Sequence, residues 1–145
     1  MKYTVEIEIN APLATVVELF DRPANMSQWM PNLTGIETLS GTAGHVGAKS
    51  KMSFNNGRSM EETVLLRNLP EEFTASYEFQ GLTYVVQNHF YGLPRDKTRY
   101  VSVQDFRLKG WMKLMGALMP GVFRKESMKH MVMFKAFVER SAPKP

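Results

Sequence analysis

What most limits the folds open to this chain is the order of its punctuation: a long run of hairpin signals, followed by one long helical stretch. Asn55-Asn56-Gly57 is a strong hairpin signal, Leu69-Pro70-Glu71-Glu72 reads as a turn, and Gln80-Gly81 and Gly92-Leu93-Pro94-Arg95-Asp96-Lys97 divide the rest. Gly41 to Gly47 is a flexible connection of the same kind. The region from Leu33 to Leu108 is thereby cut into six predicted strands, and consecutive hairpins make an antiparallel sheet. Such a sheet twists and has one face to cover. Only the stretch from Gly110 to Arg140 is large enough to cover it.

The first segment adds a seventh strand. Tyr3, Val5, Ile7 and Ile9 alternate with Lys2, Thr4, Glu6 and Glu8, which is the pattern of a strand with one buried face. Asn10-Ala11-Pro12 then reads as a helix start, with Asn10 as the N-cap and Pro12 in the first turn. Val16, Val17, Leu19 and Phe20 give that helix its apolar side. Asp21-Arg22-Pro23 interrupts it, and a second short helix holds Met26, Trp29 and Met30 before Pro31. No repeat or linker divides the 145 residues, so one domain over residues 1–140 is expected, with a loose tail at 141–145.

The terminal helix carries six of the eleven methionines: Met112, Met115, Met119, Met128, Met131 and Met133. A methionine surface adjusts to apolar partners of varied shape, which suits the wall of a ligand pocket. Pro120-Gly121 should kink or break the helix, because proline removes a helical hydrogen bond and collides with the preceding turn. Met112, Met115 and Met119 then face the pocket entrance, while Phe123, Ser127, Met131, Phe134, Phe137 and Val138 form the main apolar side. Met128 and Met133 fall outside that side. The break acts either as a hinge for a gate or as a fixed bend following the sheet.

Charge is unevenly placed. From residue 107 onward nine Lys/Arg stand against Glu126 and Glu139, a balance of +7 that leaves −3 for the rest of a chain whose net charge is +4. A basic helix of this kind is most simply a solvated face, and it leaves weak contact with an anionic membrane surface open as a second role. Nucleic-acid binding is disfavoured, because the basic residues do not alternate with aromatics in any recognised motif. With no cysteine there are no disulfides, thiolate metal sites or cysteine nucleophiles. The amino-terminal alternation is neither a secretory nor a transit signal, and no apolar run approaches bilayer length, so a cytoplasmic protein is expected.

This α+β order resembles the START/polyketide-cyclase/birch-pollen-allergen superfamily, often called SRPBCC. The carriers are Ile9-Asn10-Ala11-Pro12 followed by Val16-Val17-Glu18-Leu19-Phe20, then Trp29-Met30-Pro31-Asn32, then Gly44 and Gly47 ahead of a strand, and Lys109-Gly110-Trp111-Met112 opening the last helix. The resemblance spans essentially the whole chain. It implies the helix-grip fold, a curved seven-stranded antiparallel sheet with two short helices and a long C-terminal helix. It also implies an apolar ligand, lipid-like or polyketide-like, held between sheet and helix. Carriers, cyclases and oxygenase subunits all occur in the superfamily, so fold alone does not choose a function. No Cys-x-His pair exists for an iron-sulfur centre, and no cofactor is expected.

Several residues are candidates for such a site. Phe73, Ala75, Tyr77 and Phe79 share one strand face, as do Leu82, Tyr84, Val86, Asn88 and Phe90. Asn88, Tyr77 and Tyr84 are the polar groups expected to orient a ligand within an apolar wall, with Trp29 at the entrance. The competing reading gives the tyrosine hydroxyls to solvent and Asn88 to local bonding. His130 lies at the edge of the apolar side of the helix, where an imidazole is an acid, a base or a donor to a ligand, or simply an edge residue. Of Glu61-Glu62 at most one points inward, facing Arg99 or Arg58; solvent exposure is expected for both. The histidines lack metal-ligand spacing, and no serine sits in a nucleophile-elbow context, so neither metal nor covalent chemistry is expected. The readings that follow are a binder or carrier of a small hydrophobic molecule, a cyclase/dehydrase-like enzyme, or a surface module using the basic helix.

Overall fold

A computed structural model describes residues 1–80, 82–118 and 120–142. Seven strands form one antiparallel sheet in the order β1-β7-β6-β5-β4-β3-β2. They are β1 (Lys2–Ile9), β2 (Leu33–Ser40), β3 (Lys49–Phe54), β4 (Ser59–Asn68), β5 (Glu72–Phe79), β6 (Leu82–Leu93) and β7 (Lys97–Arg107). From β2 to β7 every neighbour in sequence is a neighbour in the sheet, as the hairpin punctuation requires. Gly57 takes a φ of +81° in the β3–β4 turn, where the Asn56 side chain accepts a hydrogen bond from the Arg58 amide.

Between β1 and β2 lie α1 (Leu13–Phe20) and a 3-10 helix (Pro23–Gln28). The cap of α1 differs from expectation. Pro12 occupies the N-cap position with no side-chain cap bond, while the Asn10 amide donates to Glu139 at 2.8 Å. Asn10 immediately follows β1, three residues before α1 begins, and its amide is taken by a carboxylate of the C-terminal helix. The Thr98 hydroxyl, fully buried, donates to the Ala11 carbonyl at 2.8 Å and pins this entry to β7.

The C-terminal stretch is two helices, α2 (Trp111–Leu118) and α3 (Pro120–Ser141). Pro120 is the first residue of α3, a position where its missing N–H costs nothing. No described helix is long and apolar enough to cross a membrane.

The seating of α3 explains much of the basic face. α3 runs along β1, the edge strand, whose outward carbonyls have no sheet partner. Arg124 donates to the Thr4 carbonyl at 3.0 Å and Lys135 to the Glu8 carbonyl at 2.8 Å. Tyr3 reaches across from β1 to the Phe123 carbonyl and the Ser127 hydroxyl. Lys135, one of the basic residues expected to form a solvated face, therefore folds back onto the sheet edge.

Because α3 and α1 cover the β1–β7–β6 side, the main core gathers there: Val5, Ile9, Val16, Phe90, Tyr100, Met131, Phe134 and Val138. Met128, expected outside the apolar side, packs against this core as well. Two smaller clusters, around Val64 and Ala75 and around Leu33, Met52 and Met60, line the other half of the sheet. Between the clusters the concave face is not filled.

Candidate functional site

The unfilled space is a cavity of about 890 Å³ between the concave face, α3, the 3-10 helix and the end of α1. Sheet register builds its floor. Thr38, Ser50, Glu62, Tyr77, Tyr84 and Phe106 are successive cross-strand partners from β2 to β7, and all six line the cavity. A single row of side chains thus runs across the strands, hydroxyl and carboxylate at one end and aromatic at the other. Tyr84 is stacked between Tyr77 at 5.1 Å and Phe106 at 4.6 Å, so its two faces are occupied by rings.

Of the residues expected from sequence, Trp29, Phe73, Tyr77, Phe79, Tyr84, Val86, Asn88, Phe123, His130, Met131 and Phe134 line this cavity together. Met112 is not among the described lining residues; its helix α2 is a separate element that packs on α3. The side chain of Met115, and Met119 altogether, lie outside the described residues. The gate reading of this segment falls on the same residues.

The polar groups are arranged differently from expectation. Asn88 is buried and used up within the wall, donating to the Phe73 carbonyl at 3.2 Å and accepting from the Tyr100 hydroxyl. Tyr84 donates to the Met60 thioether, a weak acceptor, at 3.3 Å. Tyr77 donates to Glu62 at 2.8 Å. Neither tyrosine hydroxyl is given up to solvent. Burial raises the Tyr77 and Tyr84 phenols above their ordinary value, and the nearby Glu62 charge raises both further.

Glu62 is the residue that sequence reading misplaced. Expected in solvent, or facing an arginine, it points into the cavity and bonds a tyrosine instead. Its outer neighbour Glu61 is the one that meets a cation, Lys49 at 3.4 Å. Burial pushes the Glu62 carboxyl above the ordinary carboxylate range, outweighing the Tyr77 hydrogen bond that draws it down. The signal was present: Met60, Glu62 and Val64 occupy alternate positions, and the two flanking side chains are buried.

His130 lines the cavity and sits 3.4 Å from Glu126. Burial lowers its affinity for a proton, more than Glu126 restores it. His45 is exposed in the glycine-rich loop, and His89 is on the opposite face of β6 from Asn88, 3.6 Å from Glu72. Among the described residues no three His, Asp or Glu converge as a metal site. On β4, Arg67 grips Asp21 with both guanidinium nitrogens and also reaches the Gly44 carbonyl. That contact joins the end of α1 to the loop before β3, a tie across distant segments with no local sequence pattern.

The arrangement matches known folds over its full length. Norcoclaurine synthase from Thalictrum flavum, in complex with dopamine and hydroxybenzaldehyde, is 15% identical with a TM-score of 0.74, covering 99% of this chain and 89% of that one. A conserved protein from Geobacillus kaustophilus is 10% identical, TM-score 0.76, covering 97% of each chain. Ara h 8.0201 is 16% identical, TM-score 0.75, covering 97% of this chain and 99% of that one. At these identities the likeness concerns the fold. No curated protein matches the sequence. The family model for polyketide cyclase / dehydrase and lipid transport matches residues 1–139. With a helix-grip fold, a cavity in the grip and a match over nearly every residue, the chain belongs to the polyketide cyclase / dehydrase and lipid transport family of the SRPBCC superfamily.

Proposed function

We propose that this protein binds a small, largely apolar molecule in the cavity between its sheet and α3. The observation that carries this reading is the cavity itself: about 890 Å³, with more apolar than polar wall and with polar side chains such as Ser50, Glu62, Gln104 and His130 set among the aromatic and aliphatic ones. Ligand sites generally have this size and composition, because apolar burial supplies affinity and a few polar groups supply orientation. Dividing the core between the two sides of the sheet leaves this volume unfilled, where close packing would otherwise be favoured. Native mass spectrometry of the purified protein, with NMR titration of fatty acids, sterols and aromatic polyketides, tests it. Shifts confined to the cavity residues support the reading. An empty protein whose spectrum responds to none of them sinks it.

A cyclase/dehydrase-like activity is the second reading, favoured by the Glu62–Tyr77 pair and by His130 on the opposite wall. A carboxyl with raised proton affinity is suited to moving a proton, and a cavity that folds a reactive chain catalyses largely by positioning. Turnover of a poly-ketone substrate that survives both Glu62→Gln and His130→Ala would remove both residues from that role. A surface role for the basic helix draws less support, since Arg124 and Lys135 are engaged by the edge of the sheet.

A further inference from the structure

The protein carries a net charge of +4, yet the described wall of its cavity has the opposite balance. Asp21, Glu62 and Glu126 line it, against Arg58 as the one Lys or Arg, together with His130. Of the three carboxylates, Asp21 is held by Arg67, and Glu126 is exposed to water beside His130. Arg58 is exposed and rests over the Phe79 ring, 5.7 Å from its centroid. Glu62 takes part in no described ion pair. Its recorded partner is the neutral Tyr77 hydroxyl, which satisfies one oxygen and leaves its charge uncompensated.

An uncompensated carboxylate set in the cavity wall between Ser50 and Tyr77 selects by charge. An anionic ligand head would meet repulsion in a medium of low polarity, and a neutral head would gain a hydrogen bond only. A cationic head gains both the bond and the missing charge. The row beyond Glu62 then meets the ligand's body: Tyr77, Tyr84 and Phe106 stand in stacked order away from the carboxylate. With Tyr84's faces covered by its neighbours, ring edges remain for the cavity, and ring edges pair well with a flat apolar surface.

We infer that the cavity is selective for an apolar organic cation, an ammonium on a hydrophobic body, with Glu62 as the anchor of its charged end. This rests on the ligand-binding reading above and narrows it to a chemical class. The raised proton affinity of Glu62 accords with a site waiting for a positive charge. Binding of the cation should draw that carboxyl back toward its ordinary range.

The test uses three probes of one shape: 2-naphthylmethylamine, 2-naphthylmethanol and 2-naphthoate, titrated into the wild-type protein by calorimetry at neutral pH. The amine should bind about tenfold or more tightly than the alcohol, with the carboxylate weakest. Glu62→Gln keeps the shape and the acceptor for Tyr77, and should erase the amine's advantage over the alcohol. Carboxylate NMR on the wild-type protein gives a readout independent of any variant, namely a fall in the Glu62 titration point when the amine binds. Equal binding of amine and alcohol, a preference for the naphthoate, or an amine preference that persists in Glu62→Gln overturns the inference and leaves the ligand-binding reading standing. Binding of none of the three overturns the inference, and the ligand-binding reading falls with it only if the fatty acid, sterol and polyketide titrations are silent as well.

Discussion

Replacing Phe134 by Ala should cost more stability than any other change to the cavity wall, because this ring closes the wall against the core. Phe134 is 1% exposed, and its ring meets Trp29 at 4.8 Å, Tyr100 at 5.5 Å and Phe20 at 6.0 Å, each edge to face. Truncating a buried Phe to Ala costs about 3–5 kcal/mol, and lost aromatic pairs of this geometry account for about 0.5–1.5 kcal/mol each within that total. Phe134 also lines the cavity, so the vacated space joins an existing void that water enters, and the cost of a new sealed hole is reduced. The expected loss is therefore near the lower bound, about 3 kcal/mol, equivalent to a fall in Tm of roughly 6–12 °C. Urea unfolding followed by circular dichroism should show a lower midpoint with an unchanged slope. Phe123→Ala is the control: half-buried, with Phe106 at 5.0 Å as its recorded ring neighbour, it should lose only about 1 kcal/mol. Equal losses for the two variants, or a loss for Phe134→Ala below about 1.5 kcal/mol, would refute the assignment of Phe134 to the core rather than to the cavity alone.

Three further outcomes follow from single groups. Thr98→Val should cost about 1–3 kcal/mol by stranding the buried Ala11 carbonyl, and Thr98→Ser should recover much of it in the same urea assay. His130 has lowered proton affinity in the folded protein, so its contribution is complete above its ordinary value of 6.5 and is lost as pH falls through the folded value; His130→Gln should flatten that limb of the stability profile. Glu62 behaves oppositely, its contribution complete below its ordinary value of 4.5 and lost as pH rises through the raised folded value. The stability of Glu62→Gln relative to wild type should therefore increase as pH rises above about 4.5.

Local patterns carried most of the fold. Asn56-Gly57 and the alternation of β1 and β6 are decided within a few residues, by φ preference and by the two-residue period of a strand, so they can be read without knowing the rest. Pro120 likewise marks the start of α3 through its own geometry. The site depends on relations between segments far apart in the chain. Glu62 reaches Tyr77 because β4 and β5 pair in one register, and a bulge between Val64 and Leu66 shifts that register further along, leaving Leu65 and Leu66 both exposed. Asn88 faces inward as its alternation implied, yet Tyr100, twelve residues away on the next strand, takes up its side chain. Lys135 sits on the polar arc of its helix and still bends to β1, because unpaired carbonyls there outcompete water for it. Register and docking, more than composition, separated the expected site from the observed one.

The placement of α3 along β1 couples two properties usually treated apart. One helix both roofs the cavity and shields the strand edge through Arg124, Lys135 and Glu139. A ligand bulky enough to lever α3 outward would pull those side chains from Thr4, Glu8 and Asn10 and leave a bare strand able to recruit a second copy by edge pairing. If the cavity binds a ligand as proposed, ligand size and exposure of the β1 edge would be linked through α3.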